Sequence, residues 1–294
     1  SDDQPDDDPR FRFSFRRLWK FCGPAWLMSL AYLDPGNLES DLQMGAYANL
    51  ELIWVLWWAT VMGFFLQELS ARLALVTGLD LAQHVRKGYP RWLNYVIYVM
   101  MEIAVIGSDV QEVVGTGIAL NLLTNGWLPV WAGCLITGID SLTFLAVQYL
   151  GVRWLEAFIC LLIGTMPGCF FVNWSQTQGD PGALFLGWAV PMSQSWAVPQ
   201  LVGTIGAVIM PHNLYLHSGL VLTRKIDRTS VRQVNDAIWY SRIESAIVLL
   251  VSFFINLAIV AVSAELFFVE SCAQQAAPLA CMDVDAFAEA GNGN

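Results

Sequence analysis

The sequence predicts an all-α membrane protein whose helices cross the bilayer several times. Apolar and aromatic residue types make up 56% of the 294 positions, and charged residues only 14%. Ordinary water-soluble domains are less apolar and more charged. A third observation, the spacing of apolar windows along the chain, gives the position of each span.

Seven apolar windows are each long enough to cross a hydrocarbon core of about 30 Å as a helix. They cover residues 21–46, 52–77, 92–123, 127–147, 154–173, 199–222 and 237–264. We therefore predict a membrane domain at 21–268. An acidic and basic tail at 1–20, too polar to order itself, precedes the domain, and an extracytoplasmic loop at 269–294 follows it.

The basic residues indicate the orientation of the spans. With seven crossings, all 15 Lys and Arg residues fall on one side of the bilayer. The positive-inside rule makes that side, and the N-terminus, cytoplasmic. We expect a multi-pass protein of the plasma membrane or of an endosomal or vacuolar membrane, whose surroundings are lipid and which has no nucleic-acid partner.

Cysteine use adds one expectation. Cys272 and Cys281 both fall in the predicted outer loop, where the surroundings are oxidising, so a disulfide between them is expected. The other four cysteines lie in apolar spans and are interpreted as small buried side chains.

Spans one and six are each interrupted near the middle by proline with polar neighbours. The interruptions are Asp34-Pro35-Gly36-Asn37 and Met210-Pro211-His212-Asn213. Because the two spans are five helices apart, an odd number, they run through the bilayer in opposite directions. This predicts an inverted repeat, with spans one to five as one unit and span six opening the second. At least three further helices of the second unit are expected beyond this chain.

The prolines also predict where a ligand binds. Proline has no N–H to donate to the carbonyl four residues earlier, so Pro35 frees the carbonyl of Ala31 and Pro211 frees that of Ala207. Unsatisfied backbone inside a membrane is tolerated only where it lines a cavity or holds a ligand. Both breaks are therefore candidate parts of a binding site.

Side chains at the breaks indicate a transition-metal ion as that ligand. Asp34 is an anion at mid-membrane depth, which costs about 2.5–3.5 kcal/mol unless it faces protein or a cation. Asn37 offers an amide oxygen. Met210 offers a thioether, a soft ligand that favours later transition ions over calcium or magnesium. The alternatives are a protonated structural carboxyl, a helix cap and a packing methionine.

A row of carboxylates on span three predicts a proton path. Glu102, Asp109 and Glu112 are spaced by seven and three residues, which keeps them within roughly 80° of one helix face. Such rows are typical of proton relays, although a structural polar seam is the alternative. His212 and His217 titrate near neutral pH and are candidates for coupling or for an exit route.

These motifs together resemble the Nramp family of proton-coupled metal transporters. The resemblance rests on Asp34-Pro35-Gly36-Asn37, on EIAVIGSDVQEVVGTGIALNLL from Glu102, and on AVIMPHNLYLHS from Ala207, in that order. It covers the chain from about Phe21 to Phe268. It implies the LeuT-type fold with discontinuous first and sixth helices, and the uptake of Mn²⁺ or Fe²⁺ with protons toward the cytoplasm.

The resemblance also implies roles for individual residues. In this family the metal contacts the residues that match Asp34, Asn37, Met210 and the carbonyls of Ala31 and Ala207. The family's acidic proton route matches Glu102, Asp109 and Glu112. No organic cofactor and no enzyme activity are implied.

Three rival functions are considered. A metal-responsive signalling module would keep the site but lose transport. An intramembrane metalloenzyme would need a paired base or a nucleophile beside the metal, and neither accompanies the carboxylate and thioether. An amino-acid transporter of the same fold would need a glycine-rich carboxylate cradle in span one. The sequence favours a secondary transporter that works by alternating access.

Overall fold

All regular secondary structure in the described part of the chain is helical. The computed structural model describes residues 34–147, 165–176, 180–193, 197–224 and 226–268. We number the helices α1 (Pro35–Ala48), α2 (Ile53–Thr77), α3 (Leu81–Gly88), α4 (Arg91–Leu123), α5 (Val130–Val147), α6 (Pro181–Ala189), α7 (Val198–Val208), α8 (Pro211–Leu222) and α9 (Val231–Phe267). Residues 165–176 are helical as well.

The predicted spans correspond to these helices. Helices α2, α4 and α5 match spans two to four within three residues, α7 and α8 form span six, and α9 extends span seven at both ends. Helical residues 165–176 cover the end of span five. The short helices α3 and α6 were not predicted, because eight or nine residues between spans give too little periodicity to distinguish from a loop.

Four helical stretches in the described residues are long and apolar enough to cross a membrane. They are Ile53–Thr77, Arg91–Leu123, Val198–Leu222 and Val231–Phe267, and Val130–Ile139 is a shorter apolar stretch. The third of these contains the predicted break. The count of seven spans stays a prediction, because parts of spans one and five lie outside the described residues.

The structure shows the second interruption on both sides and, for the first, a helix that starts at the predicted proline. Helix α1 begins at Pro35, and α7 ends at Val208 before α8 begins at Pro211. Proline is well accommodated at the first position of a helix, where its missing N–H would have no partner. The first half of span one, including Ala31, lies outside the described residues.

Helix α9 packs along α1 and α2 and is the most buried helix of the bundle. Its Phe253, Leu257 and Val260 join a cluster with Met44 of α1 and Leu56 of α2. At Gly45 a β-carbon would collide with the carbonyl oxygen of Val260, so glycine permits the close approach of α1 and α9. Small residues serve the same purpose at many helix contacts in membranes.

Two ion pairs join the predicted cytoplasmic ends of the helices. Glu68 of α2 accepts hydrogen bonds from Arg242 of α9, whose guanidinium lies 4.6 Å from the ring centre of Trp239. Glu244 of α9, 1% exposed, pairs with Arg224. Both glutamates therefore have a structural role in pairing with basic side chains near this end of the bundle.

Several sequence-based expectations lie outside the described residues. They are the tail at 1–20, the outer loop at 269–294 with Cys272 and Cys281, and the carbonyl of Ala31. These expectations stay predictions.

Candidate metal site

A cavity of about 480 Å³ lies where α1, α4, α7 and α8 meet. Its walls include Gly36 from the first break, and Ala207, Met210 and His212 from the second. The cavity therefore joins the two interruptions, which are more than 170 residues apart in the sequence. The lining combines neutral polar side chains with small and apolar residues.

The first break is organised around the side chain of Asp34. Its backbone is extended, and its Oδ1 accepts hydrogen bonds from the backbone N–H of Asn37 at 3.0 Å and from Nδ2 of Asn37 at 2.7 Å. The amide nitrogen of Asn37 is thus committed to Asp34, and its Oδ1 is the remaining polar atom. Asn37 is 1% exposed. Oδ2 of Asp34 lies beside Gly36, which lines the cavity, whereas Asp34 and Asn37 are not among the described lining residues.

The second break repeats this arrangement with a sulfur in place of the carboxylate. Met210 has an extended backbone before Pro211, and its Sδ accepts a hydrogen bond from Nδ2 of Asn213 at 3.3 Å. Both side chains are buried, at 8% and 4% exposure. Because Pro211 has no N–H, the carbonyl of Ala207 lacks its usual helical donor. Ala207 and Met210 both line the cavity.

Several contacts hold the two breaks together. The imidazole of His212 lies within electrostatic range of Asp34 and Asp109. Between α1 and α7, the hydroxyls of Ser40 and Thr204 are hydrogen-bonded at 3.2 Å, and Nε2 of Gln200 donates to the carbonyl of Ser40 at 2.8 Å. Helices α1 and α7 are therefore joined by side-chain hydrogen bonds.

Helix α4 forms the third wall and contributes a residue that the sequence did not reveal. Gln111 lines the cavity, and a β-carbon on Gly36 would collide with its Oε1. A β-carbon on Gly115 would lie 3.1 Å from Cβ of Pro35. The absence of a side chain at Gly36 thus admits an amide oxygen next to Asp34. The only sequence signal was the position of Gln111 between Asp109 and Glu112.

The predicted proton-path residues are only partly gathered at the cavity. Glu102, Asp109 and Glu112 lie on one continuous helix, α4, and are exposed in the described part of the chain, but they do not line the cavity. His212 does line it. His217 is fully buried against α2 instead, with its Nδ1 3.3 Å from Nε2 of Gln67.

The described residues contain no group of three or more His, Cys, Asp and Glu side chains placed to hold a metal. This is the expected result for the ligand set derived above, which combines one carboxylate with an amide, a thioether and backbone carbonyls. A site of that kind combines hard oxygen and soft sulfur donors.

Comparison with known proteins identifies the family. A model of the family described as natural resistance-associated macrophage protein-like, Nramp, matches residues 25–285. The chain is 50% identical over 258 residues to the metal transporter nramp1 homolog of Dictyostelium discoideum, covering 88% of this chain and 48% of the relative. It is 48% identical over 259 residues to natural resistance-associated macrophage protein 1 of Sus scrofa, covering 87% and 48%. The chain thus spans about half the length of these curated relatives.

Solved structures agree with the sequence comparison. The crystal structure of the Eremococcus coleocola manganese transporter in complex with an aromatic bis-isothiourea substituted compound matches with a TM-score of 0.76 and 30% identity, covering 91% of this chain and 56% of that one. This match confirms the all-α, LeuT-type fold, and the relatives named above include one described as a metal transporter. The family resemblance predicted from the three motifs is therefore correct, and the chain belongs to the Nramp family.

Proposed function

We propose that the complete protein containing this chain is a secondary active transporter that imports divalent transition metals, Mn²⁺ or Fe²⁺, toward the cytoplasm together with protons. The observation that carries this proposal is the pairing of two proline breaks around one cavity, each with an asparagine that orients the residue before the proline. The manganese transporter named above and the relatives described as metal transporters support it.

The proposed ligands are the carboxylate of Asp34, the amide oxygen of Asn37, the sulfur of Met210 and the carbonyls of Ala207 and Ala31. The single carboxylate supplies the charge that draws a divalent ion into a low-dielectric site. The thioether weakens the competition from Ca²⁺ and Mg²⁺, which prefer oxygen ligands alone. No organic cofactor is needed for this chemistry.

The proposed coupling uses the acidic row of α4 and the two histidines. Asp109 and His212 lie within electrostatic range of one another, so a proton released when a cation binds at Asp34 has an acceptor nearby. Glu102 and Glu112 extend the row along α4 in the two directions. Because Nε2 of Gln67 can only donate, Nδ1 of His217 accepts, and Nε2 of the neutral ring carries the proton. This N–H has no hydrogen-bond partner among the described residues, so it is the proton that His217 could pass on.

The same contacts suggest how the site opens to each side. Ser40, Thr204 and Gln200 join α1 to α7, and α9 packs closely along α1, so these three helices would move together when the site opens. In the predicted topology, with the N-terminus cytoplasmic, the C-terminal end of α1 faces outward. The cavity between α1, α4 and α7 is then the outward vestibule.

The proposal is tested by measuring metal and proton fluxes together in proteoliposomes that contain the complete protein. We expect Mn²⁺ to enter with acidification of the lumen, reported by a trapped pH dye. Entry of Mn²⁺ without a proton signal would remove the coupling, and absence of Mn²⁺ entry would remove the transport function.

The variant Asp109→Asn sharpens the test of coupling. Because the amide cannot accept a proton, we expect the proton flux per Mn²⁺ ion to fall while Mn²⁺ still binds. An unchanged ratio of proton to metal flux would show that Asp109 is part of a structural seam.

A further inference from the structure

Glu39 is the one carboxylate among the described residues that line the cavity. We infer that Glu39, with the amide oxygen of Gln43, forms a second cation site in the vestibule, where a hydrated divalent ion is held before it reaches Asp34. We call these two residues the vestibule site. The inference rests on the proposed function and adds a recruiting step to it.

The position of Glu39 supports a separate site rather than a further ligand of the first. Glu39 follows Asp34 by five residues on α1, a rise of about 7.5 Å along the helix axis. Asp34 and Asn37 lie at the start of the helix, whereas Glu39 and Gln43 lie one and two turns further toward its C-terminal end. Five residues also turn Glu39 by about 140° around the helix axis from Asp34. Glu39 lines the cavity and is held by Gln43, whereas Asp34 is not among the described lining residues, so a cation at Glu39 occupies a different place.

The side chain of Glu39 is held ready for a cation. Nε2 of Gln43 donates to Oε1 of Glu39 at 2.5 Å, which fixes the carboxylate on this face of α1. The described residues form no hydrogen bond or ion pair to Oε2 of Glu39. Since the Nε2 of Gln43 is engaged, its Oε1 is the amide atom left to face a cation.

The residues that line the cavity leave the negative charge of Glu39 uncompensated. The other described lining residues are neutral apart from His212, so no basic side chain there cancels the field of the carboxylate. A single charge in a cleft with low-dielectric walls raises the local concentration of the opposite ion and its rate of entry. The vestibule site would therefore raise the supply of divalent cations to Asp34.

The ligand chemistry of the vestibule site differs from that of the proposed metal site at Asp34, Asn37 and Met210, which we call the deep site. Carboxylate and amide oxygens are hard ligands that suit hydrated Ca²⁺ and Mg²⁺ as well as Mn²⁺. Selection would then occur only at the second step, where Met210 supplies sulfur. The vestibule site gathers divalent cations, and the deep site discriminates among them.

The first experiment measures Mn²⁺ uptake by the complete protein with Glu39→Gln, which removes the charge and keeps the shape. We expect the apparent KM for Mn²⁺ to rise about 3–10-fold with little change in the maximal rate, and the difference to shrink at high ionic strength. The matched control is Glu51→Gln, which removes the same charge from the short connection between α1 and α2, away from the cavity lining. Equal effects of the two variants would show a general surface potential and would overturn the vestibule site.

The second experiment separates this inference from the proposed function. The binding of Mn²⁺ to the complete protein is followed by electron paramagnetic resonance with Asp34→Asn in place, so that the deep site is disabled. We expect a weak site for hydrated Mn²⁺ that is lost in Asp34→Asn/Glu39→Gln and kept in Asp34→Asn/Glu51→Gln. Identical titrations of these two double variants would refute the vestibule site, whether or not the wild-type protein transports metal.

Discussion

The two breaks share one local design and differ in one side chain. In each, a residue with extended backbone precedes a proline at the start of a helix, and an asparagine three residues later donates its amide to that residue's side chain. The acceptor is Oδ1 of Asp34 in the first break and Sδ of Met210 in the second. The comparison shows that proline sets the geometry of the break, whereas the residue before it sets the chemistry.

The two breaks also differ in whether the residue before the proline caps the backbone of the following helix. Asp34 caps α1 by accepting the N–H of Asn37, whereas Met210 makes no side-chain cap to α8. A carboxylate at a helix N-terminus is favourable because the macrodipole is positive there, and a bound cation competes with that interaction. The first break is therefore built to hold an anion with or without a metal, and the second is held mainly by packing and the bond from Asn213.

A third segment of the chain has the same kind of helix start but lies outside the cavity. Asp180-Pro181-Gly182 repeats the sequence of the first break, and Oδ1 of Asp180 accepts the N–H of Gly182 at 2.8 Å. Asp180 is exposed at the start of α6, and alanine stands where the first break has Asn37. The same helix start without the cavity and the asparagine serves only as a cap.

The largest expected effect comes from neutralising the first break. We expect Asp34→Asn to reduce Mn²⁺ uptake by the complete protein to the level of empty liposomes, because the only formal charge of the deep site is lost. The matched control is Asp180→Asn, which alters the same kind of helix cap outside the cavity and should transport like wild type. Uptake by Asp34→Asn at the wild-type rate would remove this residue from the site.

The next prediction compares the two asparagines. We expect Asn37→Ala to weaken Mn²⁺ binding on the order of 10–100-fold, since it removes a ligand oxygen and the bonds that orient a charged ligand. Asn213→Ala removes only a bond to sulfur and should weaken binding about 2–10-fold. Isothermal titration of both variants measures the ratio, and a larger loss for Asn213→Ala would contradict this assignment of roles.

The smallest expected effect is a change of selectivity at the second break. We expect Met210→Ala to retain Mn²⁺ uptake but to become about tenfold more sensitive to competition by Ca²⁺, because sulfur no longer disfavours the harder ion. Met62→Ala on the exposed face of α2 is the control for the loss of a methionine. If Ca²⁺ competes equally with all three proteins, sulfur does not set the selectivity.

The breaks could be predicted from the sequence because their cause is local. A proline removes a donor wherever it stands in a helix, so Pro35 and Pro211 locate the interruptions without any knowledge of packing. The spans followed from apolar length for the same reason. The hydrogen bonds of Asn37 and Asn213 are also local, yet they depend on side-chain rotamers that composition does not determine.

The walls of the cavity could not be predicted, because they depend on contacts between distant helices. Gln111 reaches the first break only because Gly36 and Gly115 let α1 and α4 approach closely. Glu39 was indistinguishable from an ordinary exposed acid until α4 and α7 placed it on the cavity wall. Arg242 likewise falls within α9 as the partner of Glu68, a pairing across 174 residues that no short pattern signals.

X-ray absorption at the manganese edge tests most directly whether both breaks hold the same ion. With one Mn²⁺ bound to the complete protein, we predict a first coordination shell of oxygens with one sulfur. The sulfur contribution should vanish in Met210→Ala, and the bound ion should be lost in Asp34→Asn. A shell of oxygen and nitrogen alone, unchanged in Met210→Ala, would contradict the account.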